Sequence, residues 1–397
     1  MLFSLEALQA DYGDSLILYY GTKTKPGIIV IDGGPSGIFG DVLKPRLAAV
    51  KAKISKDEPL PLSMVMVSHL DDDHVNGVLS LVSELADKAE NNEAADWSMK
   101  NIWFNSFDDI IGNIQIPAIA AIPASVAAAD VSKIPGLENA DESIAAVIAS
   151  TGQGRKLRDL AEQLAVSVNN PFKKLAAGKS NLVRSDLGGK KSAITWEKVK
   201  ITVLHPNEKR LNELQKQWDK DLKTAKAKGD PKIMMASLTN TDKSPFNLSS
   251  IVCLVELSGK KILLTGDARS DDVLEGLSLN KLLDKKGKIH VDILKLPHHG
   301  SIRNAGPDFY KQVSADHYVI SANGKFDNPD KELLDLLAEN ISSGTIHFTN
   351  QTGEKGLKKK LDAFAAKLKK NKSKVKLDYR KDKKPSVVIN LLDKLPF

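Results

Sequence analysis

Cysteine is almost absent. The chain of 397 residues has one, Cys253, inside an apolar run. No intrachain disulfide can form, and a cysteine-rich zinc site is excluded. A reducing, cytoplasmic setting is the default expectation. A long hydrophobic run is missing too. The longest, IPAIAAIPASVAAA, is cut by Pro117 and Pro123 and is too short to span a bilayer. The opening MLFSLEALQADYGDS lacks a basic n-region and carries Glu6 and Asp11 early, so it does not read as a signal peptide. No repeat stands out and no flexible linker divides the chain. No serine sits in a nucleophile elbow, and one cysteine in an apolar strand makes a poor nucleophile. These absences predict a soluble protein with no membrane partner, whose chemistry does not run through serine or cysteine.

Charge is plentiful but uneven. The net charge is +7, and much of the excess lies in KGLKKKLDAFAAKLKKNKSKVK, from Lys355 onward. Such a patch suits a polyanion. It also reads as the solvated face of a helix that buries Leu357, Leu361, Phe364, Ala365 and Leu368. Both readings can hold at once.

Strand signals recur. SLILYY and GIIVID open the chain as two strands, and LSMVMVS is a continuous apolar run of strand length. Val78, Leu81, Val82 and Leu85 then fall at helical spacing. NIWFNSF predicts a strand; ADESIAAVIAS and GRKLRDLAEQLAVS predict two helices. KVKITVL is a strand, 207–228 a charged helix, and the stretch after it a loop. A second strand-rich half holds SSIVCLVEL, KKILLTGD, HVDILKLPHHG and HYVISANG. PDKELLDLLAEN is a helix, and KVKLDYR and PSVVINLL form a final strand pair. Two strand-rich halves with helices suggest an α/β fold of two face-to-face sheets with helices outside.

Between strand and helix lies SHLDDDHVNG. Three adjacent aspartates repel one another unless something positive offsets them. His69 and Asp71 are two apart and point the same way in an extended segment. Asp73 and His74 follow where the chain turns into the helix. Imidazole and carboxylate are ligands for zinc, manganese and iron, so one or two divalent cations would neutralise the crowding. Asp72 is left to face solvent or cap the helix. Of eight histidines, four sit in this motif and in LKLPHHGS, where His298 and His299 follow an apolar strand. Between them, Asp267 ends the strand of LLTGDA.

The order HxDxDH, GD, HHGS resembles the metallo-β-lactamase superfamily of metallohydrolases, and IVIDGG matches its early Asp-Gly turn. TGD, LKLPHHGS and the NLSSIV run are most similar to the domain at the end of the ComEC-type DNA-uptake channel. The resemblance implies one metallo-β-lactamase-like hydrolase domain over 1–397, a four-layer αββα sandwich of two mixed sheets with helices outside. A helical insertion would fill about 110–195, and a basic helix–strand segment about 355–397. Nothing resembles the membrane channel, so a free-standing relative is expected.

The resemblance also implies roles. His69 and Asp71 would hold a first metal, Asp73 and His74 a second, and Asp267 would bridge them. Either His298 or His299 would complete the second, and the other would touch substrate. Asp73, Asp267 and His299 would be the catalytic residues, and Asp32 would sit behind a ligand histidine. Asn247, Ser301 and Arg303 would bind substrate, Arg303 offering its fork of donors to a phosphate oxygen. Asp71 stands where the superfamily more often has histidine. The histidine usually found before the GD strand is missing, with Asn247 and serines in its place. A harder first site makes manganese or iron more competitive with zinc. A late histidine–proline pair of ComEC-type relatives is here Asn328 and Pro329. His205 could face the site. His290, His317 and His347 read as packing or surface residues, and Lys295 could face either way. The expected function is a metal-dependent hydrolase acting on a phosphodiester or nucleic acid. The alternatives are an ester, lactone or thioester hydrolase, or a binding protein with a degenerate centre.

Overall fold

The computed structural model describes residues 1–110, 142–176, 180–187, 193–213, 215–216 and 249–397. Its strands in the first half are β1 (Leu2–Leu8), β2 (Ser15–Gly21), β3 (Pro26–Gly33), β4 (Leu60–Leu62), β5 (Met64–Met66), β6 (Trp97–Met99), β7 (Asn101–Trp103), β8 (Ser167–Val168) and β9 (Ala193–Trp196). In the second half they are β10 (Val199–His205), β11 (Val252–Leu257), β12 (Lys260–Leu264), β13 (Ile289–Lys295), β14 (Val313–Ile320), β15 (Ser343–Phe348), β16 (Lys374–Tyr379) and β17 (Ser386–Asn390).

One sheet runs β17-β1-β2-β3-β5-β7-β8 and a second runs β16-β15-β14-β13-β12-β11-β10-β9; β4 and β6 pair separately. Both large sheets are mixed. β1, β2, β3 and β17 pair antiparallel while β3, β5, β7 and β8 run parallel. β9 to β12 are antiparallel and β12 to β16 parallel.

Three apolar clusters set the layers. Phe3, Leu18 and Ile31 of the first sheet pack with Ile201, Cys253 and Ile293 of the second. The other face of the first sheet takes α1 (Lys44–Ile54), α2 (Asp72–Glu90) and α3 (Glu142–Gln163), through Leu47, Val78, Leu81 and Leu157. The outer face of the second takes α4 (Ser270–Leu279), α5 (Pro307–Gln312), α6 (Lys331–Asn340) and α7 (Leu357–Lys370), through Leu277, Phe309, Leu337, Leu361 and Phe364. The order is therefore helices, sheet, sheet, helices. Central strands buried on both faces, whose side chains alternate between the inter-sheet core and the helix layer, and an apolar stripe on each helix produce it.

Several expectations change. The opening holds three strands, because LFSLEAL is fully buried as β1. Glu6 disguised it: this carboxylate is buried, with Arg46 Nε at 2.7 Å and the Tyr19 hydroxyl at 2.8 Å. The two helices predicted around Thr151 are one, α3. Its Gly154 does not break the helix. It lets the helix approach Leu70, whose Cδ1 would lie 2.7 Å from a Cβ. KVKLDYR and PSVVINLL are strands but not a pair: β16 edges the second sheet, while β17 crosses to the first and lies beside β1. β15 went unread. The stretch 110–195 supplies β8 and β9 to the sheets as well as α3. The helix expected over 207–228 is described only at its start, and 217–248 lie outside the described residues. Among the described residues, no helix is long and apolar enough to cross a membrane.

Candidate metal centre

The parallel strands deliver the motif residues to one end of the two sheets. β3 carries Asp32 one residue before its end, β5 leads through Ser68 to His69, β12 leads to Asp267, and β13 leads to His298 and His299. The turns are tight. Asp32, His298 and His299 hold φ of 56°, 46° and 54°, in the left-handed region that non-glycine residues rarely adopt. Asp73 and His74 come from the first turn of α2, whose entry residue Asp71 is extended. The close crossing of α2 over β3 needs glycine at both contact points: a Cβ on Gly77 would lie 1.9 Å from the Gly33 carbonyl oxygen.

Asp267 is buried at the centre. The Nε2 atoms of His69, His74, His298 and His299 lie 3.7, 3.4, 3.6 and 3.5 Å from its carboxylate oxygens. Each ring is held from behind through Nδ1. His74 Nδ1 lies 2.9 Å from Asp32, His298 Nδ1 2.9 Å from Asn304 Oδ1, and His299 Nδ1 3.1 Å from the Ser321 carbonyl. His69 Nδ1 is 3.1 Å from Ser68 Oγ, whose own proton goes to Asp32. Acceptors at Nδ1 fix the proton there and leave Nε2 as the lone pair aimed inward. This is how proteins present imidazole to a metal. Asp71 lies 3.4 Å from His69 Nε2, and Asp73 3.2 Å from His299 Nε2.

The donor set fits a divalent cation. Buried His69 Nε2, Asp71 Oδ1 and Asp267 Oδ1 have no hydrogen-bond partner, and such orphans ask for an explanation. One group of donor atoms, from Asp14, His74, Asp267 and His299, lies mutually within 4.8 Å. Electrostatics agree. Burial opposes charge on His74 and His299, but Asp267, together with Asp73 and Asp32 around His74 and with Asp14 beside His299, holds both well above the usual imidazole range. Burial would raise Asp267, yet His298, His299, His74 and His69 hold it well below the usual carboxylate range. Asp73 is lowered against burial by His74 and His299.

Asp14 was not foreseen. It lies in the turn before β2, fully buried, with one oxygen 2.7 Å from Lys295 Nζ and the other 3.4 Å from His299 Nδ1. It meets His299 on the Nδ1 side, and one of its oxygens still falls within the group of donor atoms shared with His74 and Asp267. Lys295, which could have faced either way, points inward and is 1% exposed. Burial would raise Asp14, but Lys295 and His299 hold it below the usual range. Only the GDS turn before an apolar strand hinted at Asp14. Asn304 and Ser321 carried no signal.

The other expected residues are placed as follows. Asp72 accepts a hydrogen bond from Gln153 at 2.6 Å. Ser301 is buried, with its hydroxyl 3.4 Å from Asp330, and Arg303 is exposed. Asn247 lies outside the described residues. His205 turns to the Ser250 carbonyl at 2.9 Å and lies 3.8 Å from Asp272. His317 and His347 bond each other at 2.9 Å on β14 and β15.

No family model matches the chain. Among curated proteins it is similar to ComE operon protein 3 of Bacillus subtilis (strain 168), 33% identical over 98 residues. That stretch is 24% of this chain and 12% of the relative, so the match spans about an eighth of that protein. Among solved structures, a provisionally assigned metal-dependent hydrolase from Parabacteroides distasonis ATCC 8503 aligns with 87% of this chain and 92% of its own, at a TM-score of 0.34 and 12% identity.

Proposed function

We propose that the chain is a metal-dependent hydrolase of metallo-β-lactamase type, built as one αββα unit, that cleaves phosphodiesters. The observation that carries this reading is the convergence of four imidazole Nε2 atoms on the buried carboxylate of Asp267. In this reading His69 and Asp71 hold one divalent cation, Asp73, His74 and His299 hold another, and Asp267 serves both. Carboxylates share the work with imidazoles, so manganese and iron compete with zinc. His299, fully buried against Asp73, takes the ligand position left open between the two neighbouring histidines. His298 has a side chain 30% exposed and is the one at the rim, where substrate arrives.

When bound, a divalent cation supplies Lewis acidity and makes water ionisable near neutral pH. The chain's own residues do the rest. Asp73 takes the proton of the attacking water on a carboxylate oxygen, and as the P–O bond to the leaving alcohol breaks that proton passes to the departing oxygen. Asp32, Ser68, Asn304 and Ser321 keep the four rings in one tautomer. Asp14 and Lys295 brace His299. Lysines of the basic segment support a polyanionic substrate, although Lys358, Lys360 and Lys367 already pair with Asp362, Asp327 and Asp335.

Reconstitution with manganese or zinc after chelation tests the reading. Hydrolysis of bis(p-nitrophenyl) phosphate should require added metal and fall on the order of 100-fold or more in Asp73→Ala and Asp267→Ala. Turnover that survives chelation refutes it. Faster turnover of an ester, lactone or thioester probe moves the assignment to that class. A folded protein that binds no metal makes it a binding protein.

A further inference from the structure

Two loops meet on the rim of the centre. The β1–β2 loop carries Tyr12, and its Gly13 packs so closely on α2 that a Cβ would lie 2.0 Å from the Asp73 carbonyl oxygen. The Asp14 N–H donates to that same oxygen at 3.1 Å. The loop after β14 is tied to the histidine pair. The Asp330 N–H donates to the Gly300 carbonyl at 3.0 Å, and the Asn328 amide reaches the His298 carbonyl at 3.4 Å.

Where they meet, Tyr12 and Phe326 stand edge to face, with centroids 5.3 Å apart and planes at 86°. Lys325 Nζ lies 3.8 Å from the Tyr12 ring centroid and 5.3 Å from that of Phe326. Phe326 is 57% exposed, among the few large apolar side chains so open in the described residues. Among the described residues, no carboxylate stands within ion-pair distance of Lys325. The Tyr12 hydroxyl is pushed up to about 12 by burial and then by Asp73, Asp72 and Asp11. It is a neutral donor within the field of the site carboxylates.

A lone exposed aromatic needs no explanation. This one is fixed by a second ring, sits beside an ammonium with no carboxylate partner among the described residues, and is carried by loops that touch Asp73 and His298 of a centre read as cleaving phosphodiesters. An exposed ring face takes a base by stacking, and an adjacent ammonium takes the next phosphate. A duplex hides its base faces in its own stack, so only an unpaired strand can use such a platform.

We propose that Tyr12, Lys325 and Phe326 form a stacking platform that presents an unpaired base of single-stranded nucleic acid to the metal centre. This names the substrate class of the hydrolase proposed above and rests on that reading. Phe326 supplies the ring face, Tyr12 holds it on edge, and Lys325 meets the neighbouring phosphate.

The test is fluorescence anisotropy of the full chain with a short labelled oligothymidylate, in chelator so that binding is read without turnover. A labelled duplex of equal length is the comparison. The single strand should bind more tightly than the duplex. Phe326→Leu, which keeps an apolar side chain but loses the ring, should weaken single-strand binding about fivefold or more, since stacking is worth ~1–3 kcal/mol per base. Phe326→Trp should restore it. Lys325→Ala should weaken binding and lower its salt dependence by about one counterion. Equal affinity of Phe326→Leu and the parent, preference for duplex, or no binding by the parent overturns the platform. Metal-dependent turnover of bis(p-nitrophenyl) phosphate is scored separately. Turnover without a Phe326→Leu effect removes the platform and keeps the hydrolase. Single-strand binding through Phe326 without turnover does the reverse.

Discussion

His74 and His299 face each other nitrogen to nitrogen, with 3.2 Å between their Nε2 atoms. His299 Nδ1 meets a carbonyl, which can only accept, and His74 Nδ1 meets the Asp32 carboxylate. In neutral rings both Nε2 atoms are therefore lone pairs, and two lone pairs at that distance repel. A cation between the rings and Asp267 removes the conflict, whether proton or metal ion.

Protons and metal should thus compete, with a definite sign. His74 and His299 are raised above the ordinary imidazole value. In metal-free protein their charged forms stabilise the fold below that ordinary value, and this contribution fades as pH climbs through the raised values. Metal replaces the missing protons. The rise in Tm on adding zinc or manganese should be larger at about pH 8.5 than at about pH 6. A rise that is equal at both, or larger in acid, would show that these two rings do not bind the ion.

Asp32 serves three donors at once: the Ser68 N–H and hydroxyl, both at 2.7 Å, and His74 Nδ1 at 2.9 Å. Asp32→Asn keeps the shape but must turn its own N–H₂ toward one of them. Metal affinity, read by competition with a fluorescent chelator, should fall about 10- to 100-fold. An unchanged affinity would reduce Asp32 to a packing role.

Lys295→Met strands a buried carboxylate at Asp14. Urea unfolding should show a loss of about 3–5 kcal/mol, and the double variant Asp14→Asn with Lys295→Met should recover much of it. If the single and double variants unfold alike, the pair is not coupled.

Gly77→Ala places a methyl against the Gly33 carbonyl. The helix must slide off the strand, moving Asp73 and His74 away from Asp32. Overpacking of this kind costs about 1–3 kcal/mol, and metal affinity should fall with Tm. Gly40→Ala, where a Cβ meets nothing within 4 Å and the backbone is not left-handed, controls for the residue change alone.

That these side chains meet at one end of the sheets is legible in the sequence because they cluster in short motifs. HLDDDH, TGD and LPHHGS each follow an apolar run, and the ends of parallel strands are where such residues converge. What stayed hidden depends on distant partners. Glu6 reads as a polar break until Arg46, 40 residues on, arrives beside it. Lys295 reads as a stray charge in a strand until Asp14 appears opposite. That β16 and β17 belong to different sheets follows from packing against β15 and β1, which no local pattern records.

The neighbour of β1 on its outer side is β17, where Ser4 sits opposite Asn390. During synthesis on the ribosome that side of β1 must therefore wait, its backbone groups unpaired, until Asn390, 386 residues after Ser4, has emerged. Over that interval the nascent protein displays an open strand edge, a template for mispairing with other chains. A chaperone that shields the β1 edge until β17 arrives would act when the molecule is most vulnerable.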